Sequence, residues 1–247
     1  MKKILKPAER LIVAADFEPP EGSGRFWVET EVISLAKKLA GTGVILKVNS
    51  ALGACGYGLI DRIHDHGLGV FADLKLYDIP KTLATYGVFL RRSKPDLLTT
   101  VCSAGVAAMS ALKKELPETE VLGVTVLTSL TESECNQMFR RAIILDNVCM
   151  FARKADEAGM DGIVCSAKEA PFVREHIRSE MTINTPAIRP FWFKDPKDDQ
   201  NPDRIMTPAK AIQAGADRII VGRPIMTAEN PYDAVMRTIE EIASVKT

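Results

Sequence analysis

The sequence predicts an α/β protein whose 247 residues form a single (β/α)8 TIM barrel. Short apolar runs rich in β-branched residues alternate with longer stretches typical of helices. The runs lack alternating polar residues, as expected of strands covered on both faces. Eight strand–helix units share the chain at about 31 residues each, the size of a βαβ step. Since no linker rich in Gly, Pro or Ser interrupts the series, we expect one domain over residues 1–247.

The elements follow one another regularly along the chain. The predicted strands are residues 11–15, 44–48, 70–74, 97–101, 121–127, 162–165, 181–188 and 219–221. The predicted helices are residues 30–40, 59–66, 82–92, 106–116, 147–158, 168–176, 208–214 and 231–243. Asp161 and Asp217 each open a strand after a turn that contains glycine, which fits glycine ending the preceding helix. An open doubly wound sheet is the alternative, but no G-x-G-x-x-G follows the first strand.

Composition limits the classes of function. The 32 Lys and Arg balance 32 Asp and Glu, which excludes a general electrostatic attraction to nucleic acid or anionic lipid. A local basic pocket for one phosphate remains possible. The five cysteines are widely spaced without a C-x-x-C pair, which indicates a reducing compartment. Charged residues and Pro7 interrupt the N-terminal apolar stretch, so we expect no export signal and a soluble cytoplasmic protein.

Charged residues fall at the carboxyl ends of the first three strands. Asp16 ends strand one, Lys47 lies in strand two, Asp73 and Lys75 end strand three, and Asp78 follows in the next turn. Chemistry in a TIM barrel sits at this end, and strand residues two apart share a face. Any one of these charges could be an ordinary solvated strand end. Together, inside apolar runs, they predict a functional array, because burying an unpaired charge is costly.

A phosphate site is predicted at the other side of the barrel mouth. Gly222 and Arg223 follow strand eight, where glycine lets a backbone amide approach an anion and arginine supplies two donors. Gln200, in the polar loop after strand seven, could close over that phosphate. A tight turn at Gly222 with a surface Arg223 is the equal alternative. The chain contains three histidines, and this small number disfavours a His-based metal site or a Ser-His triad.

The segment Asp73-Leu74-Lys75-Leu76-Tyr77-Asp78-Ile79-Pro80-Lys81-Thr82 resembles the signature of the orotidine 5′-phosphate decarboxylase family. The resemblance extends over most of the chain, through residues 124–129, 161–167, 185–190, 199–200, 204–208 and 221–225. The D-x-K-x-x-D element alone marks a wider superfamily. The added Ile79-Pro80, the strand-seven motif and the Gly-Arg pair make the joint signal specific.

The resemblance implies a homodimeric (β/α)8 barrel, without metal or organic cofactor, that converts orotidine 5′-phosphate to UMP and carbon dioxide. It implies that this is the last step of de novo UMP synthesis. Lys75 would donate the proton, and Lys47, Asp73 and Asp78 would complete the charged array. Asp78 and Thr82 would reach into the partner subunit's site.

The resemblance also implies which residues bind the substrate. Asp16 and Lys47 would hold the ribose hydroxyls. Thr128 and Ser129 would lie at the pyrimidine end, and Pro186 and Arg189 in the strand-seven segment. Phosphate would be bound by Gln200, Gly222 and Arg223.

The sequence departs from the family pattern in several places. Ala187 stands where the family usually has glycine, and Lys81 replaces a common asparagine. Relative to the family, Asn201-Pro202 resembles an inserted pair of residues, and Asn49-Ser50 replaces the usual glycine after strand two. Residues 18–25 form an unusual first loop. Two other functions stay open: a metal-dependent sugar-phosphate decarboxylase or aldolase of the same superfamily, and a non-catalytic barrel that binds a nucleotide.

Overall fold

The computed structural model describes residues 4–139, 143–194 and 205–245. Eight parallel strands form a closed barrel in sequence order, and β1 pairs with both β2 and β8. The strands are β1 Leu11–Ala14, β2 Ile45–Val48, β3 Gly69–Leu76, β4 Leu97–Val101, β5 Glu120–Val124, β6 Gly162–Val164, β7 Thr182–Thr185 and β8 Arg218–Val221. The predicted (β/α)8 fold is confirmed.

Helices cover the outside of the barrel. They are α1 Arg25–Leu39, α2 Ser50–Cys55, α3 Gly58–His64, α4 Pro80–Ser93, α5 Val106–Glu115, α6 Glu132–Phe139, α7 Ile144–Glu157, α8 Ala170–Arg174, α9 Pro208–Gln213, α10 Arg223–Met226 and α11 Pro231–Ala243. Short 3₁₀ turns, Ala8–Arg10 and Cys102–Ala104, precede β1 and follow β4. In the described part of the chain, helices long and apolar enough to cross a membrane are absent.

The barrel interior is packed with side chains. One apolar cluster fills it, made of Ile12, Ala14, Ile45, Phe71, Leu97, Leu122 and Ile220. Below it, the buried Arg218 donates two 2.8 Å hydrogen bonds to Glu120 on the opposite side of the barrel. A larger apolar cluster fills the space between strands and helices. Any cavity at the carboxyl ends of the strands therefore lies on a closed, apolar floor.

Several element boundaries differ from the prediction. The predicted strand 181–188 ends at Thr185, because Pro186 has no amide hydrogen and Ala187 adopts a left-handed conformation with φ of 61°. The predicted strand 121–127 ends at Val124. The first long helix begins at Arg25 and not at residue 30, and α2, α6 and α10 were not predicted. All of these differences lie at the C-terminal ends of strands or in the segments that follow them.

Candidate active site

A cavity of about 450 Å³ opens at the carboxyl ends of the strands. Its size suits a ligand of nucleotide dimensions. The predicted site residues that line it are Asp16, Lys47, Asp73, Lys75, Thr128, Pro186, Arg189, Gly222 and Arg223. Phe71, Asp73 and Lys75 of β3 all face the barrel interior or the cavity. The twofold period of the strand accounts for Phe71 and Asp73, and an irregularity of β3 at residues 73–75 places Lys75.

Four charged side chains form a continuous chain across one side of the cavity. Lys47 Nζ lies 2.9 Å from both carboxylate oxygens of Asp16 and 3.4 Å from Asp73 Oδ2. Lys75 Nζ lies 2.6 Å from the same Asp73 oxygen. Carboxylates and ammonium groups therefore alternate in the order Asp16, Lys47, Asp73, Lys75.

The centre of this array is buried and its ends are accessible. The side chains of Lys47 and Asp73 are 8% and 10% exposed, against 57% for Asp16 and 35% for Lys75. Burial of Asp73 opposes ionisation, but the two lysines and the hydrogen bonds to this carboxylate outweigh it and lower its pKa. Asp73 is therefore held as an anion, and Lys75 keeps an open side toward the cavity.

An irregularity in β3 places Lys75. Ala72 pairs with Leu98 of β4 and Leu76 pairs with Thr100, so three residues of β3 lie opposite Thr99 alone. Lys75 has a φ of 46°, a conformation unusual for a residue with a Cβ. Thr99 bridges the bulge, because its hydroxyl donates to Asp73 Oδ1 at 2.8 Å and accepts from the Lys75 amide at 2.9 Å.

Sequence reasoning missed Thr99, Glu18 and Cys165. Thr99 contacts the array, and Glu18 and Cys165 line the cavity. A signal for Thr99 was present, since it lies two residues after the interior Leu97 and therefore faces into the barrel. Cys165 directly follows β6, at the end of the barrel where the other site residues lie.

The segment after β7 forms the opposite wall of the cavity. Ala187 turns the chain, Ile188 bridges to Met206, and the Arg189 amide donates to the Met206 carbonyl at 2.9 Å. These contacts aim Pro186 and Arg189 at the cavity. The alanine at the position where glycine was expected is accommodated with a positive φ.

Gly222 and Arg223 complete this wall at the end of β8. A Cβ added to Gly222 would meet Ala14 at 3.6 Å, an ordinary contact, so packing within the protein does not require glycine here. The absent side chain leaves the backbone open toward the cavity that Gly222 lines. The chain also turns here, because the Gly222 carbonyl accepts a 2.9 Å hydrogen bond from the Ile225 amide, and the anion-binding role of Gly222 stays a prediction.

Three predicted residues do not line the cavity of this chain. Asp78 is exposed after β3 and accepts a 2.7 Å hydrogen bond from the Ile79 amide. Thr82 lies in the first turn of α4, and Ser129 is exposed in the turn after β5. Gln200 and the Asn201-Pro202 insertion lie outside the described residues.

The part of the chain that the structure describes contains no group of three or more His, Cys, Asp or Glu side chains arranged to hold a metal ion. The carboxylates Asp16 and Asp73 are instead engaged by lysines.

Comparison with known proteins assigns a family. Residues 9–238 match the family described as "Orotidine 5′-phosphate decarboxylase / HUMPS family". An orotidine 5′-phosphate decarboxylase of Nitrosococcus oceani is 33% identical over 241 residues, covering 96% of this chain and 98% of that protein. One from Streptococcus sanguinis is 38% identical over 185 residues, covering 73% and 78%. The crystal structure of orotidine 5′-phosphate decarboxylase from Lactobacillus acidophilus superimposes with a TM-score of 0.79 at 26% identity, covering 96% and 100%. The chain belongs to the orotidine 5′-phosphate decarboxylase / HUMPS family.

Proposed function

We propose that this protein decarboxylates orotidine 5′-phosphate to UMP and carbon dioxide, the last step of de novo UMP synthesis. The observation that carries the proposal is the alternating Asp16–Lys47–Asp73–Lys75 array, which borders a nucleotide-sized cavity in a member of this family. Such an array is suited to stabilising a carbanion by fixed charge.

The cavity offers separate positions for the parts of a nucleotide. We assign Asp16 and Lys47 to the ribose hydroxyls, because their side chains are paired at the edge of the array. Phosphate is assigned to Gly222 and Arg223, and to Gln200 outside the described residues. TIM barrels commonly bind phosphate with the loops after strands seven and eight, which supports this assignment.

The remaining wall is assigned to the base. Thr128 and Ser129 follow β5, and Thr128 lines the cavity. We assign this turn to the pyrimidine, with Ser129 contacting the base, and place Pro186 and Arg189 on the facing wall. Because phosphate is remote from the reacting carbon, its binding energy can be used to organise the charged site.

Lys75 is the proposed general acid. When the bond between C6 and the carboxylate breaks, the electron pair stays at C6 in an orbital not conjugated with the ring carbonyls. The Lys75 ammonium stabilises that pair and then transfers its proton to C6, giving UMP, carbon dioxide and a neutral amine that regains a proton from solvent. Asp73, 2.6 Å from Lys75 Nζ, orients the ammonium and repels the leaving carboxylate.

We also propose a homodimer in which Asp78 and Thr82 complete the partner subunit's site. In this chain Asp78 lies away from the cavity, between the exposed apolar side chains of Tyr77 and Ile79. Tyr77 is 65% exposed and Ile79 64%, and such apolar groups are covered at protein interfaces.

A cytoplasmic location is proposed as well, since none of the cysteines, all in described segments, forms a disulfide.

One assay tests the activity. Purified protein in buffer with a chelator should consume orotidine 5′-phosphate, followed by its ultraviolet absorbance, at the same rate as without chelator. Loss of activity in chelator that returns with Mg²⁺ would favour the metal-dependent alternative. Absence of turnover under both conditions would favour a non-catalytic barrel.

Mixed subunits test the shared site. Lys75→Ala and Asp78→Ala are each expected to be inactive alone. After mixing and subunit exchange, up to about a quarter of the native activity should return, because one of the two sites in a hybrid dimer then carries neither change. No recovery, with hybrid formation confirmed by mass, would show that Asp78 does not act across an interface.

A further inference from the structure

We propose that Thr99 is a positioning residue of the active site, which fixes the carboxylate of Asp73 and the backbone of Lys75 in their working geometry. The proposal rests on the function proposed above. Thr99 itself does not line the cavity, and it is completely buried in β4. It acts through the two residues that it contacts.

The two hydrogen bonds of Thr99 have defined directions. A threonine hydroxyl carries one hydrogen and can also accept. Asp73 Oδ1, an acceptor at 2.8 Å, takes that hydrogen, while the Lys75 amide donates to the hydroxyl oxygen at 2.9 Å. An ionised Asp73 carboxylate can only accept a hydrogen bond, and the Lys75 amide can only donate one. The hydroxyl hydrogen of Thr99 therefore points to Asp73.

The first bond sets the rotation of the Asp73 carboxylate. With Oδ1 held by Thr99, the other oxygen faces both lysines, 3.4 Å from Lys47 Nζ and 2.6 Å from Lys75 Nζ. Without the hydroxyl, both oxygens become available to the lysines and the carboxylate can rotate between them. The position of the Lys75 ammonium relative to C6 of the substrate would then vary, and transition-state stabilisation depends on such positioning.

The second bond holds the bulge of β3. Asp73, Leu74 and Lys75 lie opposite Thr99, and Lys75 has the left-handed φ of 46°. A residue with a Cβ is disfavoured in that conformation unless its surroundings hold it there. The bond from the Lys75 amide to Thr99 provides a partner at the irregular point of the ladder. Thr99 thus positions the proposed general acid, Lys75, in two ways: through the Lys75 backbone and through the Asp73 carboxylate.

The next residue provides a matched control. Thr100 is also completely buried in β4, and its hydroxyl donates to the carbonyl of Leu76 in β3 at 2.8 Å. It therefore shares with Thr99 the residue type, the strand, the burial and a hydrogen bond to β3. The difference is that Thr99 bonds to the charged array.

The test compares Thr99→Val and Thr100→Val, with Thr99→Ser as the conservative variant. Thr99→Val should lower kcat on the order of 10- to 100-fold, as expected for losing a hydrogen bond to a charged group. KM and the affinity for UMP should change little, and Thr99→Ser should recover most of kcat. Thr100→Val should keep a near-native kcat. In Thr99→Val the rising limb of the pH profile of kcat should move to higher pH, because Asp73 loses a bond that favours its anion.

Near-native kcat in folded Thr99→Val would overturn the proposal, as would equal losses in Thr99→Val and Thr100→Val. If Thr99→Val does not fold, Thr99→Cys replaces it, since a thiol keeps the volume but is a weak donor and acceptor. Near-native kcat in Thr99→Cys, or a loss equal to that in Thr100→Val, would then overturn the proposal. Lys75→Ala separates this inference from the proposed function. If Lys75→Ala is inactive and Thr99→Val has a near-native kcat, only the role of Thr99 is contradicted. If Lys75→Ala is active, the proposed mechanism is contradicted.

Discussion

At the N-terminal end of the barrel three aspartates bond to the backbone, whereas at the C-terminal end Asp16 and Asp73 face lysine side chains. The three directly precede β4, β6 and β8, and each accepts a hydrogen bond from an amide of the preceding strand. These contacts are Asp96 with Val70 at 2.8 Å, Asp161 with Val121 at 2.7 Å and Asp217 with Ile183 at 2.8 Å. The aspartates at the N-terminal end thus join neighbouring strands.

Each of these aspartates also has a basic partner of its own, from the helix that precedes the bonded strand. The pairs are His64–Asp96 at 2.9 Å, Lys113–Asp161 at 2.6 Å and Arg174–Asp217 at 2.7 Å. At the C-terminal end, by contrast, Lys47 is shared by two carboxylates and Asp73 by two lysines.

The two groups of carboxylates therefore differ in both position and bonding partners. Carboxylates at the starts of strands bind a backbone amide of the preceding strand and a basic side chain from a helix. Carboxylates at the ends of strands form an array that borders a cavity, where Lys75 remains 35% exposed. The first arrangement predicts effects on folding, and the second predicts effects on turnover.

The largest expected difference is between two lysines. Lys75→Ala should lower kcat by at least about 10⁴-fold, because it removes the proposed general acid and electrostatic stabiliser. Its free energy of unfolding and its binding of UMP should change little. Lys113→Ala should keep kcat but lower the free energy of unfolding by about 1–3 kcal/mol, because Asp161 loses its cation. Steady-state kinetics and urea unfolding of both variants provide the measurements.

Either of two results would contradict this contrast between the two ends of the barrel. Near-native turnover by Lys75→Ala would remove the chemical role of the C-terminal end. A large loss of kcat in fully folded Lys113→Ala would show that the N-terminal end does more than join strands.

Much of the C-terminal end could be predicted from the sequence. Asp16, Lys47, Asp73 and Lys75 are charges within or beside apolar strands, and a closed parallel barrel brings the ends of its strands together. Thr99 could not be assigned a role, because threonine is common in strands and its partners are 24 and 26 residues away in the chain. Its contact also depends on the bulge of β3, which the sequence pattern did not indicate.

The N-terminal end was predicted less completely. Asp161 and Asp217 were placed at the starts of strands because glycines precede them, and Gly159 and Gly215 do have positive φ values of 75° and 99°. Asp96 lies two residues after Lys94, which caps the C-terminal end of α4 with a φ of 44°, and no glycine marks this turn. The amide bonds that unite the three aspartates follow from strand register, which local patterns do not specify.

An intermediate effect is expected for two arginines at opposite ends. Arg223→Ala should weaken binding of UMP about 10- to 100-fold and binding of uridine much less, since the proposed charged contact to phosphate is lost. Arg174→Ala should leave both affinities unchanged and lower the free energy of unfolding by about 2 kcal/mol, since the mostly buried Asp217 loses its 2.7 Å ion pair with Arg174. Titration calorimetry and urea unfolding measure the two effects. Equal weakening of UMP and uridine by Arg223→Ala would contradict a phosphate contact.

The smallest expected effect distinguishes the three N-terminal pairs from one another. The hydrogen bond to Asp96 raises the pKa of His64 above its usual value, assisted by the charges of Asp96, Asp61 and Asp65 and opposed by burial. The contribution of a charged His64 to stability is therefore fully present below the unfolded-state pKa of about 6.5 and lost as the pH rises through the higher folded-state pKa. The ordinary pKa values of lysine and arginine side chains lie well above this range.

Only the His64 pair should therefore weaken between slightly acidic and slightly alkaline pH. The free energy of unfolding of the native chain minus that of His64→Gln should fall by a few tenths of a kcal/mol between about pH 6 and pH 8.5, a small change because the pair is partly exposed. Urea unfolding at both pH values measures this difference, and taking it between two variants cancels titrations elsewhere. The corresponding difference for Arg174→Ala should stay constant. A pH-independent difference for His64→Gln would mean that His64 packs as a neutral ring, and that charge pairing is not common to all three aspartates.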